Sequence, residues 1–409
     1  MTASPTPLSP ATAAASVPAA QGAPLAGVRV LDLTRLLPGP VAGQMLGDLG
    51  ADVVKIEDLG AGDYAHASVR ALVNRNKRGL RLDLKHSAGR ELLLRLVQDA
   101  DVLLEGFRPG VMDRLGLGWA VLHAANPRLV LCSLSGWGQT GPLRDAPGHD
   151  LNYAALAGVT DQVGNAAGPA LSNLPLADLL GGAMSAVTGV LAALYDAART
   201  GLGRHVDIAM ADGVLAHAVL PMAALLQHGR VQRPGEGTLT GGLACYGLYN
   251  TADGRQLAVG ALEPKFWAAL CAVIERPDWL ARHRSGGPAG QAALRADLAA
   301  VFAAQPLAHW VTRFEGSDAC VTPVLRLDET LAHPQFRARG MVLGDPQSPA
   351  AAAGVDTVVG LGCPIQMTGF APSVARPAPQ PGQHSDELLA EAGLDAAAIA
   401  ALRTAGVVG

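Results

Sequence analysis

The sequence predicts an α/β protein: a large doubly wound domain followed by a smaller α+β one. Three observations predict it. Strand-length and helix-length apolar runs alternate from Val28 to Ser133, the pattern of a parallel sheet covered on both faces. At 409 residues the chain exceeds one average core. Glycines at 235, 237, 241 and 242 then separate that alternation from a hairpin-and-helix pattern.

The elements follow in order. Val28–Leu33 reads as a strand, Pro38–Leu49 as a helix capped by Gly50, and Ala51–Glu57 as a second strand, which makes a βαβ unit. Strand Leu80–Leu84, helix Gly89–Gln98, strand Asp101–Glu105, a short helix before Gly116 and strand Leu129–Ser133 continue the winding. A long apolar helix runs from Asp178 to about Thr200, ended by Gly201, with strand His205–Ala209 and helix Ala211–Gln227 after it. Tyr246–Asn250 and Gln256–Gly260 flank Ala252-Asp253-Gly254, a hairpin signal. Helices at Phe266–Ile274, Gly290–Ala304 and Leu307–Gly316 complete the smaller domain. Ser385 reads as an N-cap with acids in the first turn, and Gly393 closes that last helix. The domain expectation is a disordered tail at 1–24, a Rossmann-like large domain at 25–228 and a linker at 229–245. A small domain at 246–335 and a C-terminal return to the large domain at 336–409 complete it.

A net charge of -4 gives no basic field, so nucleic acid is not an expected partner. The 49% hydrophobic content is divided among short runs, none of eighteen unbroken apolar residues, so no membrane span is expected. Residues 1–24 are mostly Ala, Pro, Ser and Thr, with no Lys or Arg, unlike a secretory or transit signal; the cytoplasm is the expected compartment. Five cysteines without a C-x-x-C, all in apolar surroundings, read as buried free thiols. There is no G-x-G-x-x-G and no Walker A string, so the fold is expected without NAD or ATP. G-x-S-x-G, H-E-x-x-H and Cys/His metal spacings are missing too, which removes a hydrolase triad and metal chemistry from the expectation.

What carries chemistry is a histidine and two carboxylates at the edges of apolar runs. His149 follows Pro147-Gly148 and precedes the helical run Leu151–Gly158. A histidine at such a junction either caps and packs or transfers protons. Asp150 reads as an N-cap carboxylate whose own N–H is placed to receive an enolate oxygen. Asp178 opens the most hydrophobic helix, as a cap or as a poised base, and the collar of Leu174, Leu176, Leu179 and Leu180 favours the base. Glu263 interrupts an apolar strand end, as a surface turn residue or as an orienter for a histidine. Gly106–Gly110 with Arg114, and the basic residues Arg75, Lys77, Arg78 and Lys85, suit either phosphates or a solvated face.

These residues stand within longer strings: L-x-G-V-R-V-L-D-L at 25–33, Leu46–Glu57, N-R-N-K-R-G-L-R-L-D-L-K at 74–85, Gly106–Gly110 and Leu134–Pro142. The chain thereby resembles the family III CoA-transferase (CaiB/BaiF-like) superfamily from about Leu25 to the C-terminus. G-H-D-x-N-Y at 148–153, x-D-x-x-G-G ending at Gly182, A-x-E-P at 261–264 and Asp318–Leu325 resemble its α-methylacyl-CoA racemase branch. The resemblance implies that His149, paired with Glu263, and Asp178 exchange the α-proton of a 2-methylacyl-CoA, with the Asp150 N–H as oxyanion donor. It implies CoA contacts at Leu82, Lys85, Gly106, Phe107, Arg108, Arg114, Gly148, Asn152 and Tyr153. It also implies an intertwined homodimer, with Glu263 supplied across the interface, and no cofactor, since CoA is part of the substrate. A CoA-transferase using Asp178 as nucleophile is the alternative, and a non-catalytic acyl-CoA binder a third reading. One position departs: where the family has K-I-E-R-P, this chain has Asp58 after Glu57, so the nucleotide end of CoA is held differently or less tightly, with Arg75–Arg78 as the expected substitute.

Overall fold

The computed structural model describes residues 22–60, 65–165, 167–344 and 360–409; most of the expected N-terminal tail lies outside them. Six parallel strands form the main sheet: β1 (Arg29–Asp32), β2 (Asp52–Glu57), β3 (Lys77–Arg81), β4 (Val102–Glu105), β5 (Val130–Ser135) and β6 (His205–Ala209). Their order is β3-β2-β1-β4-β5-β6, the doubly wound arrangement. The order reverses between β1 and β4, which pair in parallel from Val30 against Val102. Ligands in open α/β sheets bind at that switch point, beyond the carboxyl ends of the strands.

Both faces of the sheet are covered, which is why its strands read as near-continuous apolar runs. One face carries the Ser87–Gln98 helix and the C-terminal segment, with Leu93, Leu103, Leu388, Leu389 and Val407 buried together. The other carries the Pro38–Asp48 helix and the long helix through Ala183, Val187 and Val190. Ala177–Thr200 is long and apolar enough by composition to cross a bilayer, yet one of its sides is packed in this core. A separate core lies under the antiparallel strands β7 (Tyr246–Asn250), β8 (Gln256–Gly260) and β9 (Val321–Pro323), built on Trp267, Trp279, Phe302 and Trp310.

Several expectations are corrected. The third strand starts at Lys77 rather than Leu80, because the N-R-N-K-R run enters the sheet as buried ion pairs. Lys77 Nζ donates to Asp32 Oδ2 and to the Pro40 carbonyl, each at 2.8 Å. Arg75 makes a forked pair with Asp48 (2.9 and 2.6 Å), and Arg78 reaches Asp52, Glu387 and Glu391. Arg75, Lys77 and Arg78 are thus committed to ion pairs that hold the sheet and the helix Ser385–Glu391. The expected 211–227 helix is two, Met210–Ala216 and Val219–His228, meeting at an angle of 56°. His384, not Ser385, is the N-cap of the last-but-one helix; the Ser385 hydroxyl donates to the Gly409 carbonyl at 2.8 Å instead. Among the cysteines, Cys132, Cys245 and Cys271 are buried, Cys363 is half-buried and Cys320 is exposed at φ 50°. The helices Ala67–Val73 and Trp119–Ala125 carry no strong sequence pattern and were not expected.

Candidate active site

The Asp150–Leu156 helix presents His149 at its N-cap position, where the His149 N–H donates to Asn152 Oδ1 at 3.1 Å. Asp150 is therefore the first helical residue and not the cap. Its Oδ1 accepts instead from the Asp178 N–H at 2.9 Å, capping the neighbouring helix and tying the two elements together. Tyr153 fixes the loop ahead: its hydroxyl donates to the Gly148 carbonyl at 2.5 Å, and its ring fills the space where a Cβ on Gly136 or Gly148 would stand. That close packing is the physical reason for glycine ahead of the histidine.

Asp178 is the second residue of its helix, and the first turns, Ala177–Met184, have π-helical bonding. Such widened turns recur at functional sites because they displace a side chain from the regular helical path. Three residues on, Gly181 lies so close to the 210–216 helix that a Cβ would run into the Met210 carbonyl. The Asp178 carboxyl is half-buried and pushed up to about 6, chiefly by burial, with the Asp150 charge adding and the His149 imidazole offsetting. His149 is exposed, and so is Leu174 of the expected collar, so the site of the single chain stands open.

Two hollows meet at this pair. The first, of about 610 Å³, lies at the switch point: Thr34–Leu36 follow β1, Gly106–Pro109 follow β4, and Leu134–Trp137 end β5. His149, Asp178, Gly148, Asn152 and Tyr153 form its far wall. Three guanidinium groups line it, Arg35, Arg108 and Arg144. Arg35 lies 5.6 Å above the Phe107 ring and donates to Asp58 Oδ2 at 2.5 Å, so the acid at the departing position holds a cavity arginine. The second hollow, of about 450 Å³, also touches His149, Asp150 and Asp178, but its walls are Leu151, Ala154, Val159, Leu171, Leu174 and Leu176.

A family model of CoA-transferase family III matches residues 25–385. The chain belongs to CoA-transferase family III. It is 36% identical to the mouse alpha-methylacyl-CoA racemase over 394 residues, which cover 94% of this chain and 97% of that protein. It is 34% identical to the acetyl-CoA:oxalate CoA-transferase of Acetobacter aceti, over 83% of this chain and 92% of that one. The crystal structure of a CAIB/BAIF family protein from Brucella suis superposes with a TM-score of 0.77 at 28% identity, over 91% of this chain and all of that one. Racemase and transferase relatives thus stand at similar distances from this family III chain.

Against the expected contacts, the structure brings Gly106, Phe107, Arg108, Gly148, Asn152 and Tyr153 to the cavity with His149 and Asp178. Leu82, Lys85, Arg114 and Glu263 are not among the residues lining either hollow. Leu82 is buried in the sheet core, while Lys85 and Arg114 are exposed outside the cavity wall. Glu263 is exposed at the N-cap of the Pro264–Val273 helix, on the unit with the separate aromatic core. Sequence reasoning missed Arg35 and Arg144. Arg35 was findable, since it directly follows the strand at the reversal of strand order; nothing in the Gly141–Pro147 loop singles out Arg144.

Proposed function

We propose that the protein is a racemase/epimerase that interconverts (R)- and (S)-2-methylacyl-CoA thioesters. The observation that carries this reading is the pair His149 and Asp178, two proton carriers on one cavity, with the carboxyl raised to about 6. A carrier near the working pH passes protons in both directions, which a reversible isomerisation requires. The arginine-lined hollow suits the CoA phosphates and the apolar one the 2-methylacyl chain, which sets the thioester between them at the pair. His149 removes the α-proton from one face and leaves an enolate. Asp178, protonated, delivers a proton to the opposite face, and the roles exchange for the other enantiomer. The Asp150 N–H, at a helix start, is the proposed donor to the enolate oxygen; a donor of this kind is worth on the order of 3 kcal/mol in the transition state.

The test is deuterium incorporation. One enantiomer of a 2-methylacyl-CoA is incubated in D2O with no carboxylic acid present. Label at the α-carbon with loss of optical activity is expected, and His149→Ala and Asp178→Ala each abolish it while remaining folded. No exchange without a second carboxylic acid, together with a hydroxylamine-trappable Asp178 acyl adduct, refutes the racemase and establishes the transferase that the Acetobacter relative exemplifies.

We further propose a homodimer in which Glu263 pairs with His149 of the other copy. Its exposure, away from both hollows of its own chain, supports this. Co-refolding equal amounts of His149→Ala and Glu263→Ala chains tests it. If the residues meet across the interface, half the dimers hold one intact site and activity returns to about one quarter of wild type. If they meet within one chain, no intact site forms and no activity returns.

A further inference from the structure

Most buried acids in and beside the main sheet have a cation. Asp32 pairs with Lys77, Asp48 with Arg75 and Glu57 with Arg70. Glu105, the last residue of β4 and only 4% exposed, is in no ion pair among the described residues. What it does have is the Phe107 N–H, which donates to Oε2 at 2.8 Å, while Ser133 occupies the facing position on β5. Ser133 Oγ is in turn 2.9 Å from His205 Nε2 on β6, and that imidazole is exposed and stacked on Trp119. The carboxyl's own hydrogen bond is thus to the Phe107 N–H, and the surface imidazole stops at Ser133. The remaining ionisable groups around the carboxyl are acids and a thiol: Asp207 on β6, Asp113 on the Val111–Arg114 helix and Cys132 on β5.

We infer that Glu105 is a positioning residue: its carboxylate fixes the Phe107 amide, and with it the Gly106–Pro109 wall of the cationic hollow. The inference rests on the reading of that hollow as the acyl-CoA site. Phe107 is the ring beneath Arg35, so loosening its backbone also moves a cavity guanidinium. Burial pushes Glu105 up to about 7, with Asp207 and Asp113 adding and the Ser133 hydroxyl and Phe107 N–H opposing. The anchor is thus a strong charge-assisted bond above that pH and a weaker neutral one below it.

The test combines amide hydrogen exchange at Phe107 in the unliganded protein with titration of free CoA at pH 6 and pH 8. Glu105→Gln is expected to speed Phe107 exchange about tenfold at pH 8, the difference between a charge-assisted and a neutral hydrogen bond. CoA affinity of the variant, relative to wild type, is expected to be near parity at pH 6 and about fivefold weaker at pH 8, as the charged bond is lost. Comparing variant with wild type cancels the titration of the CoA phosphates. In Ser133→Ala, which leaves the Phe107 bond in place, loss of a hydroxyl that favours the carboxylate moves the midpoint of the pH dependence up. Unchanged Phe107 exchange in Glu105→Gln, or an affinity ratio flat with pH, overturns the inference. A wild-type protein that binds no CoA overturns the acyl-CoA reading of the hollow, while the exchange measurement still decides the role of Glu105.

Discussion

Asp178→Asn should make the protein more stable while removing its chemistry. The carboxyl is raised from 3.8 to about 6 by burial and by Asp150, so the folded state holds its proton more tightly than the unfolded chain. The sign follows from linkage. Toward pH 4 and below both states are largely protonated and the group costs little; from there to about pH 6 the unfolded state ionises while the folded state keeps its proton, and stability is lost. At roughly 1.4 kcal/mol per tenfold change in acidity, the full penalty above pH 6 is about 3 kcal/mol. An asparagine of the same shape relieves it and leaves the backbone bond from residue 178 to Asp150 intact. Reversible urea unfolding of wild type and variant at pH 8 and at pH 4 reads this directly. The variant is expected to gain about 1–3 kcal/mol at pH 8 and little at pH 4. A variant no more stable than wild type at pH 8 refutes the claim that Asp178 is held against its environment.

Asp150→Asn keeps an acceptor for the Asp178 N–H but removes a charge that pushes Asp178 up, so the alkaline limb of racemisation, in the direction in which Asp178 delivers the proton, should move to lower pH; an unmoved limb counts against the coupling. Tyr153→Phe removes the bond to the Gly148 carbonyl, at a cost of about 1 kcal/mol in stability and a several-fold fall in kcat/KM as the His149 loop loosens. Lys77→Met leaves Asp32 buried beside Lys55 alone; unfolding in urea should show a loss of about 3–5 kcal/mol, and a smaller loss means that Lys55 takes over the pair.

The sheet was legible because strand and helix periods alternate cleanly in its sequence, and the hairpin was legible from Ala252-Asp253-Gly254. Its cations were not. Arg75, Lys77 and Arg78 look the same in a sequence whether they face phosphate or a buried carboxylate, and their partners Asp48, Asp32 and Glu387 lie far away in the chain. His149 and Asp178 were legible as edge-of-apolar-run titratable groups, but the bond between their segments, from the Asp178 N–H to Asp150, has no local signature. Nor has the π-helical turn under Asp178, or the approach of Gly181 to the Met210 carbonyl of the next helix, which is a tertiary contact. Arg144 was invisible for a similar reason: it reaches the cavity from an irregular loop whose path only the folded chain defines.

One scaffold serves both kinds of relative because the reacting atoms differ so little in place. A transferase carboxylate must reach the thioester carbonyl carbon, whereas a racemase acid must reach the α-carbon, about 1.5 Å along the same chain. Raising the carboxyl to about 6 suits the second task better, because the protonated form needed for delivery is then accessible near neutral pH, whereas a nucleophile is active only when ionised. On the proposed placement of the acyl chain, a small displacement along the apolar hollow would shift Asp178 from one role to the other. What such a displacement cannot supply is a second proton carrier. His149, set at a helix start by Asn152 and by the Tyr153–Gly148 bond, supplies it, which is why the proposal of isomerisation depends on the histidine more than on the acid.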